Sequence, residues 1–261
     1  TLGVITTIVF RLIPLPTKDI TLFVPFSSVE KACEAVSAVF RAGIIPSALE
    51  FIERDAIDWT LKYTDIKIQI NDDVKAHLLL EVDGNDIDIL YKDCERIFEV
   101  MEIFECGEIL LADSESQKNQ IWKIRRSVGE AVKSNSVYKE EDTVVPRAEL
   151  AKLLKGVKAI GIEYGFQSVC YGHAGDGNLH INIIKGEMSD EDWNAKLTLG
   201  IREIFELTKS LGGTLSGEHG IGLVQKEYMD IVFSKEALCL QKGIKNLFDP
   251  NEILNPGKIL L

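Results

Sequence analysis

The sequence predicts an α+β fold: a largely antiparallel sheet of ferredoxin-like type, with helices on one side and a helical C-terminal segment. Two observations lead there. Strand-like and helical stretches follow one another as β-α-β, again β-α-β, and then further helices and strands, without the even alternation of a doubly wound sheet. No GxGxxG follows the first strand, so the signature of a dinucleotide-binding parallel sheet is missing.

The chain opens without Met, directly in a β-branched run, and a strand is expected over 4–13. Pro14 and Pro16 cannot continue a hydrogen-bonded ladder, which places a domain boundary there. A start in mid-strand leads us to expect the C-terminal piece of something longer. Residues 20–26 read as a strand, and Ser27 or Ser28 can cap a helix from Val29 to about Arg41, stopped by Gly43. Residues 47–52 are strand-like and 55–63 helical. The apolar strand at 77–82 is closed by Asp83-Gly84-Asn85. Asp86 or Asp88 then starts a helix to about Phe104, with Ile87, Leu90, Cys94, Ile97, Phe98 and Met101 at helical spacing. A strand at 108–112, a helix at 115–133 and a short strand at 143–145, ended by Pro146, come next. The helix at 150–164 stops at Gly165, and strands at 167–171 and 179–184 flank a glycine-rich turn. A long amphipathic helix over 190–211 ends at Gly212-Gly213. From Ile221 the chain is mostly helical, up to a terminal turn at Asn255-Pro256-Gly257.

The 261 residues suffice for one large domain or two smaller ones, and 46% apolar with 27% charged residues is the composition of a soluble protein. A net charge of -12, spread along the chain, argues against a nucleic-acid backbone or an anionic membrane as the main partner. Cys33, Cys94, Cys106, Cys170 and Cys239 include no CxxC pair, which excludes a disulfide framework or zinc ribbon and fits a reducing cytoplasm. Cys170 reads as a buried small hydrophobe before it reads as a reactive thiol. No apolar run approaches the length of a membrane span.

The chemistry concentrates in two glycine-dense stretches, Tyr171-Gly172-His173-Ala174-Gly175-Asp176-Gly177-Asn178-Leu179-His180-Ile181-Asn182 and Ser216-Gly217-Glu218-His219-Gly220-Ile221-Gly222. They hold three of the chain's four histidines. Two imidazoles and a carboxylate with an open position form the ligand set of a catalytic divalent metal, so His173, His180 and Glu218 are the candidate ligands. His219, beside the carboxylate, stands where a general base would. A separation of seven across Gly175-Asp176-Gly177 suits two strand ends joined by a tight turn. His180 and Asn182 then point to one face, with Ile181 and Ile183 toward the core. Either histidine alone reads as a hydrogen-bonded side chain beside a turn, and Glu218 alone as a helix cap; it is their joint occurrence that favours ligands. Zinc, ferrous iron and manganese all suit such a set. Gly172, Gly175 and Gly177 match neither the Rossmann nor the P-loop spacing. On the helix at 115–133, Arg125 shares a face with Trp122, three residues earlier, and is the candidate inward-facing anion binder. The alternative is a surface helix with solvated Arg125 and Arg126, and Lys139, before Glu140-Glu141-Asp142, has the same alternative as part of a charged loop.

These motifs, with the tail Phe248-Asp249-Pro250-Asn251 through Leu254-Asn255-Pro256-Gly257-Lys258, resemble the C-terminal part of the FAD-linked 2-hydroxy-acid dehydrogenases of the vanillyl-alcohol oxidase superfamily. That family includes glycolate oxidase flavin subunits, D-lactate dehydrogenases and D-2-hydroxyglutarate dehydrogenase. The resemblance implies that residues 1–16 are a remnant of the FAD-binding domain, 17–215 the substrate or cap domain, and 216–261 a helical segment returning toward the flavin. It implies His173, His180 and Glu218 as metal ligands, His219 as base, Arg125, Lys139 and Asn182 as substrate contacts, and Asn255 as a cofactor contact. FAD would be bound mainly by the preceding domain, beside a divalent metal. Gly129 stands where the 2-hydroxyglutarate enzymes carry a threonine, which favours D-lactate or glycolate as substrate. The implied electron acceptor is a quinone, an iron–sulfur subunit or an electron-transfer flavoprotein, at a cytoplasmic site or one peripheral to a membrane through a partner. Two readings of other classes are a metal-dependent hydrolase, for which an HExxH helix is lacking, and a non-catalytic metal-binding module.

Overall fold

A computed structural model describes residues 2–260; Thr1 and Leu261 lie outside the described residues. One seven-stranded sheet, antiparallel at every pairing, runs in the order β4-β1-β3-β2-β6-β7-β5. Its strands are β1 (Lys18–Phe26), β2 (Ala48–Glu53), β3 (Ala76–Gly84), β4 (Leu110–Ala112), β5 (Tyr138–Val144), β6 (Gln167–Gly172) and β7 (Asn178–Ile184). The helices are α1 (Val29–Arg41), α2 (Arg54–Tyr63), α3 (Ile87–Ile103), α4 (Glu115–Asn135), α5 (Leu150–Tyr164), α6 (Asp190–Ser210), α7 (Met229–Val232) and α8 (Lys235–Phe248).

The ferredoxin-like pattern occurs twice. In the first half α1 joins β1 to β2 and α3 joins β3 to β4, giving the order β4-β1-β3-β2 of a split βαβ unit. In the second half α5 joins β5 to β6, and after β7 α6 returns to Thr214, which bridges to Val144 of β5. The halves meet where β2 pairs with β6, Phe51 opposite Gly172 and Ile52 opposite Tyr171. This seam brings the end of β6, and with it His173, alongside β2.

Period-two alternation divides the sheet into two apolar faces. Leu22, Phe51, Leu78, Leu80, Ile181 and Ile183 pack with α1, α3, α5 and α6 in the larger core. Phe23, Ile52, Leu79, Val169, Tyr171 and Ile184 pack with Ala56 and Ile57 of α2 and Ile121, Ile124, Val128 and Val132 of α4. The α+β class and the antiparallel sheet are as the sequence predicts, and α2 and α4 add a second, smaller helical layer that the sequence reading does not place. Ser28, Ser114 and Ser189 cap α1, α4 and α6 by accepting a backbone N–H three residues on.

The strand expected at 4–13 does not form: these residues have no regular structure, and their apolar side chains are exposed, Val9 at 90%. β-propensity alone cannot make a strand where no neighbouring edge supplies hydrogen bonds. The charged run at 139–142 is the body of β5, which begins five residues before the expected 143. Among the described residues, helix after Ile221 is limited to a 3-10 turn at 226–228 and to α7 and α8. All five cysteines are free; Cys33, Cys94 and Cys170 are buried, and burial pushes their thiols up, so Cys170 behaves as a small core residue. Among the described residues no helix is long and apolar enough to cross a membrane.

His77 of β3 lies on the smaller face, 2% exposed and stacked 4.1 Å from the Phe23 ring. Burial, with Arg54 nearby, lowers its pKa from 6.5 to about 3. The unfolded chain therefore takes up a proton below about pH 6.5 that the folded chain refuses until about 3, so stability present above that window is lost as pH falls through it. Between pH 7 and pH 4.5 this amounts to about 2–3 kcal/mol. Urea unfolding of His77→Leu, which keeps the fill and removes the titration, is expected to lose that much less over the same interval. Equal losses in the two proteins would show that His77 is not the titrating group.

Candidate metal and substrate site

The site is built on the α2/α4 face at the β2–β6 seam. Gly172 ends β6, a 3-10 turn spans Ala174–Asp176, and Gly177 reverses the chain at φ +76. A Cβ at Gly177 would run into the Val145 carbonyl oxygen, and its positive φ disfavours any other residue. The backbone N–H groups of Asp176 and Asn178 donate to the His173 carbonyl at 2.9 and 3.2 Å, tightening the turn so that His173 faces His180 across it. Their rings stand 5.8 Å apart, edge to face.

Glu218 and His219 arrive from the loop after α6, which is wrapped around one buried carboxylate. Asp142 of β5 accepts from Asn178 Nδ2 at 2.5 Å, and from Ser216 Oγ, Glu218 N and His219 N at 2.8 Å each. Burial works to raise its carboxyl, but these donors outweigh it and hold Asp142 below the ordinary aspartate range. Gly217 allows the close approach, because a Cβ there would collide with the Asn178 side chain.

The three imidazoles converge on one oxygen. Glu218 Oε1 lies 3.3 Å from His180 Nε2, 3.5 Å from His173 Nε2 and 3.7 Å from His219 Nε2. Ligand atoms about 2.0–2.2 Å from a tetrahedral ion stand roughly 3.3–3.5 Å from one another, which the two distances from Glu218 Oε1 match, and the donor atoms of His173, His180 and Glu218 lie within 4.8 Å of one another. A second group, Glu140, His180 and His219, also offers three donor atoms within 4.8 Å of one another. Burial first, and Arg125 second, lower the His180 pKa from 6.5 to about 4, so its ring is neutral and carries a lone pair. The hydrogen bond to Glu50 raises His173 against the effect of its burial. His219 stacks on His180 with ring centroids 5.1 Å apart.

Arg125 of α4 reaches the same site. Its Nε donates to Glu50 Oε2 at 2.8 Å, and its guanidinium lies 5.1 Å from the centroid of the Tyr171 ring. Glu50 Oε1 takes His173 Nδ1 at 2.7 Å. Burial works to raise Glu50, yet His173 and Arg125 together keep it below the ordinary glutamate range. Arg126, by contrast, stacks over Trp122, whose Nε1 donates to Glu81. Asn182 shares the His180 face, with Nδ2 donating to the Val169 carbonyl at 3.3 Å.

Lys139 is not brought to the cluster. It pairs with Ile183 in the ladder and so lies on the opposite face, where its Nζ meets Glu141 Oε1 at 3.0 Å. A strand through 139–142 must alternate, and with Glu140 and Asp142 beside the histidines, Lys139 and Glu141 turn away. Asn255 lies in the terminal turn at positive φ, where its carbonyl accepts the Lys258 N–H; Ile259 N–H donates to Gly222 O at 2.7 Å and ties this tail to the Glu218 loop. Sequence reasoning missed Glu50, Glu140, Asp142 and Tyr171. The available signal was acidic residues within strand alternation, as in Leu49-Glu50-Phe51-Ile52-Glu53, because a carboxylate among apolar strand residues needs a buried partner.

Residues 15–259 match the family described as FAD linked oxidases, C-terminal domain. The chain is 33% identical to a D-lactate dehydrogenase of Anaerostipes hadrus over 99% of its own length and 56% of the relative's. It is 33% identical to glycolate oxidase subunit GlcD of Bacillus subtilis over 99% of its length and 54% of that protein. A D-2-hydroxyglutarate dehydrogenase of Stutzerimonas stutzeri is 30% identical over 99% of the chain and 56% of its own. The chain thus spans about half the length of the curated relatives it matches. Among solved structures, p-cresol methylhydroxylase with bound substrate superposes with a TM-score of 0.70 at 14% identity, over 96% of this chain and 54% of the other, which is a likeness of fold.

Proposed function

The chain belongs to the FAD-linked oxidase C-terminal domain family, and on that premise we propose that it is the substrate- and metal-binding part of an FAD-dependent dehydrogenase. The reaction is oxidation of a small D-2-hydroxy acid, D-lactate or glycolate, to the 2-oxo acid. In this reading residues 17–215 form the substrate domain and 216–261 return toward the flavin-binding domain, with Asn255 as a cofactor contact. The observation that carries the proposal is the convergence of His173 Nε2, His180 Nε2 and His219 Nε2 on Glu218 Oε1, with Arg125 on the same face through Glu50.

A divalent cation held by His173, His180 and Glu218 would supply Lewis-acid polarisation of the 2-hydroxyl, and FAD would supply the hydride acceptor. His219 takes the hydroxyl proton at Nε2. Arg125 positions the substrate carboxylate, and Asn182 of β7 is a further substrate contact. The Tyr171 ring supports the Arg125 guanidinium from below. Lys139 has no part in this scheme, since the alternation of β5 turns it to Glu141. Family membership favours the dehydrogenase over the hydrolase or a non-catalytic module.

The test is a substrate screen of the flavin-loaded protein containing this chain, with an artificial electron acceptor, against D-lactate, glycolate and D-2-hydroxyglutarate. Turnover is expected on D-lactate or glycolate. His219→Ala is expected to lower kcat by about 100-fold or more, the usual contribution of a positioned base. Wild-type kcat in His219→Ala would remove His219 from the base role, and turnover of none of the three acids would sink the substrate assignment.

A further inference from the structure

We propose that Glu50 and Glu140 are positioning residues that hold the rings of His173 and His180 with Nδ1 protonated and Nε2 free to bind a single divalent cation. This rests on the reading of His173, His180 and Glu218 as a cation site. A ligating imidazole commonly donates its other ring N–H to a carboxylate, which fixes the tautomer and strengthens the ligand nitrogen. His173 has that arrangement, and His180 has a carboxylate placed for it. Both turn Nε2 toward Glu218 Oε1, and both have a carboxylate on the Nδ1 side: Glu50 Oε1 at 2.7 Å from His173, Glu140 Oε1 at 3.6 Å from His180.

Glu50 is 5% exposed, in a strand whose neighbours Leu49, Phe51 and Ile52 are core residues. A buried carboxylate adds little net stability over an apolar residue of similar size, so its presence calls for another role. It has two partners, His173 and Arg125, and so ties the cation pole of the site to the anion pole through one side chain. At His180 the signal is an unmet need. Its Nδ1 is buried with no hydrogen-bond partner, and a stranded polar atom of that kind costs about 1–3 kcal/mol. Asp142 Oδ1 stands 3.9 Å away, but Asp142 is already engaged by Asn178, Ser216 and two backbone N–H groups. Glu140 is the carboxylate with capacity to spare, and at 3.6 Å its Oε1 stands just beyond hydrogen-bond reach of the ring. Glu140 sits opposite Asn182 and Asp142 opposite His180, so the β5–β7 register places Glu140 there.

The readout is zinc titration of the chain by calorimetry, with the ring nitrogens of His173 and His180 followed by ¹⁵N NMR. The wild type is expected to bind one equivalent. Glu50→Ala and Glu140→Ala are expected to weaken binding by about 10–100-fold at unchanged stoichiometry. Glu50→Gln and Glu140→Gln should fall between, since an amide oxygen still accepts the Nδ1–H and preserves packing should an alanine variant fail to fold. Cation-free NMR should show His173 and His180 as Nδ1–H tautomers in the wild type and mixed tautomers in the variants, a change that loss of packing alone would not produce. Wild-type affinity and unchanged tautomers in all four variants would overturn the proposal. So would two equivalents of zinc with one lost in Glu140→Ala, which would make Glu140 a ligand beside His180 and His219. No zinc bound by the wild type would overturn the cation site itself.

Discussion

Asp142→Ala is expected to weaken zinc binding by at least about 100-fold and to cost about 3–5 kcal/mol in stability, the range for losing one member of a buried charged network. Four donors around the Glu218 loop end on this carboxylate: Ser216 Oγ, Glu218 N and His219 N on one oxygen, Asn178 Nδ2 on the other. Hydrogen bonds to a buried charge are worth about 1.5–3 kcal/mol each, and removing the acceptor strands four donors together. The loop's other ties lie toward its ends, Thr214 to Val144 and Ile259 N–H to Gly222 O. Glu218 and His219 are each about half exposed, with side-chain exposure of 49%, so their positions depend on the backbone that Asp142 gathers. Asp142→Asn should fall between, keeping one acceptor oxygen but losing the charge. Because the folded carboxyl is held below the ordinary range, its contribution is present above the unfolded pKa and is lost as pH falls through the lowered folded value. Zinc titration and urea unfolding check both parts. An Asp142→Ala protein with wild-type zinc affinity would show that the loop is fixed by contacts other than this carboxylate.

Asp142 also shows where legibility from sequence ends. Helices α1, α3, α4 and α6 are readable because their determinants are local, a serine or aspartate cap with apolar residues at helical spacing, and α5 because its apolar spacing ends at Gly165. The hairpin of β6 and β7 is readable for the same reason, and with it the pairing of His173 and His180 across the turn. The run Lys139-Glu140-Glu141-Asp142 carries no such local cue. Its charges suggest a solvated loop, but Glu141 and Asp142 find partners in Gln225, Asn178, Ser216 and the backbone at 218–219, all more than 30 residues away. Only those partners make burial of Glu141 and Asp142 tolerable and so make the segment a strand. Glu50 is the same case, because β2 reaches His173 only through the seam between the two halves of the sheet. At 4–13 the error is reversed: a strong local β signal finds no edge to pair with. The candidate ligands are legible because the chain has only four histidines and three of them stand among clustered glycines, whereas the carboxylates that orient them are common residues given meaning by register alone.

Lys158→Met is expected to destabilise the chain by about 3–4 kcal/mol at pH 7. Glu53 ends β2 on the larger-core face, 6% exposed, where it accepts from Lys158 Nζ at 2.9 Å and from the Cys170 N–H at 2.7 Å. Burial pushes its carboxyl up, and the Lys158 ammonium is the main influence against that. Lys158 lies nearer the surface, with side-chain exposure of 38%, so removing the lysine leaves the more deeply buried partner uncompensated. The cost has a ceiling, because Glu53 can take up a proton instead. Protonating a carboxyl of ordinary pKa about 4.3 at pH 7 costs about 3–4 kcal/mol, and at pH 5 only about 1 kcal/mol. In the variant, then, the folded pKa of Glu53 rises further above the unfolded value, and stability relative to wild type falls as pH rises from about 4.3. Urea unfolding at pH 5 and pH 7 reads this directly. The double variant Glu53→Gln with Lys158→Met should recover most of the loss and be flat with pH, since an amide still accepts the Cys170 N–H and no charge remains to be buried. If the single variant lost equal stability at both pH values, the loss would come from the lysine's packing along α5, and the buried carboxylate would have found another cation.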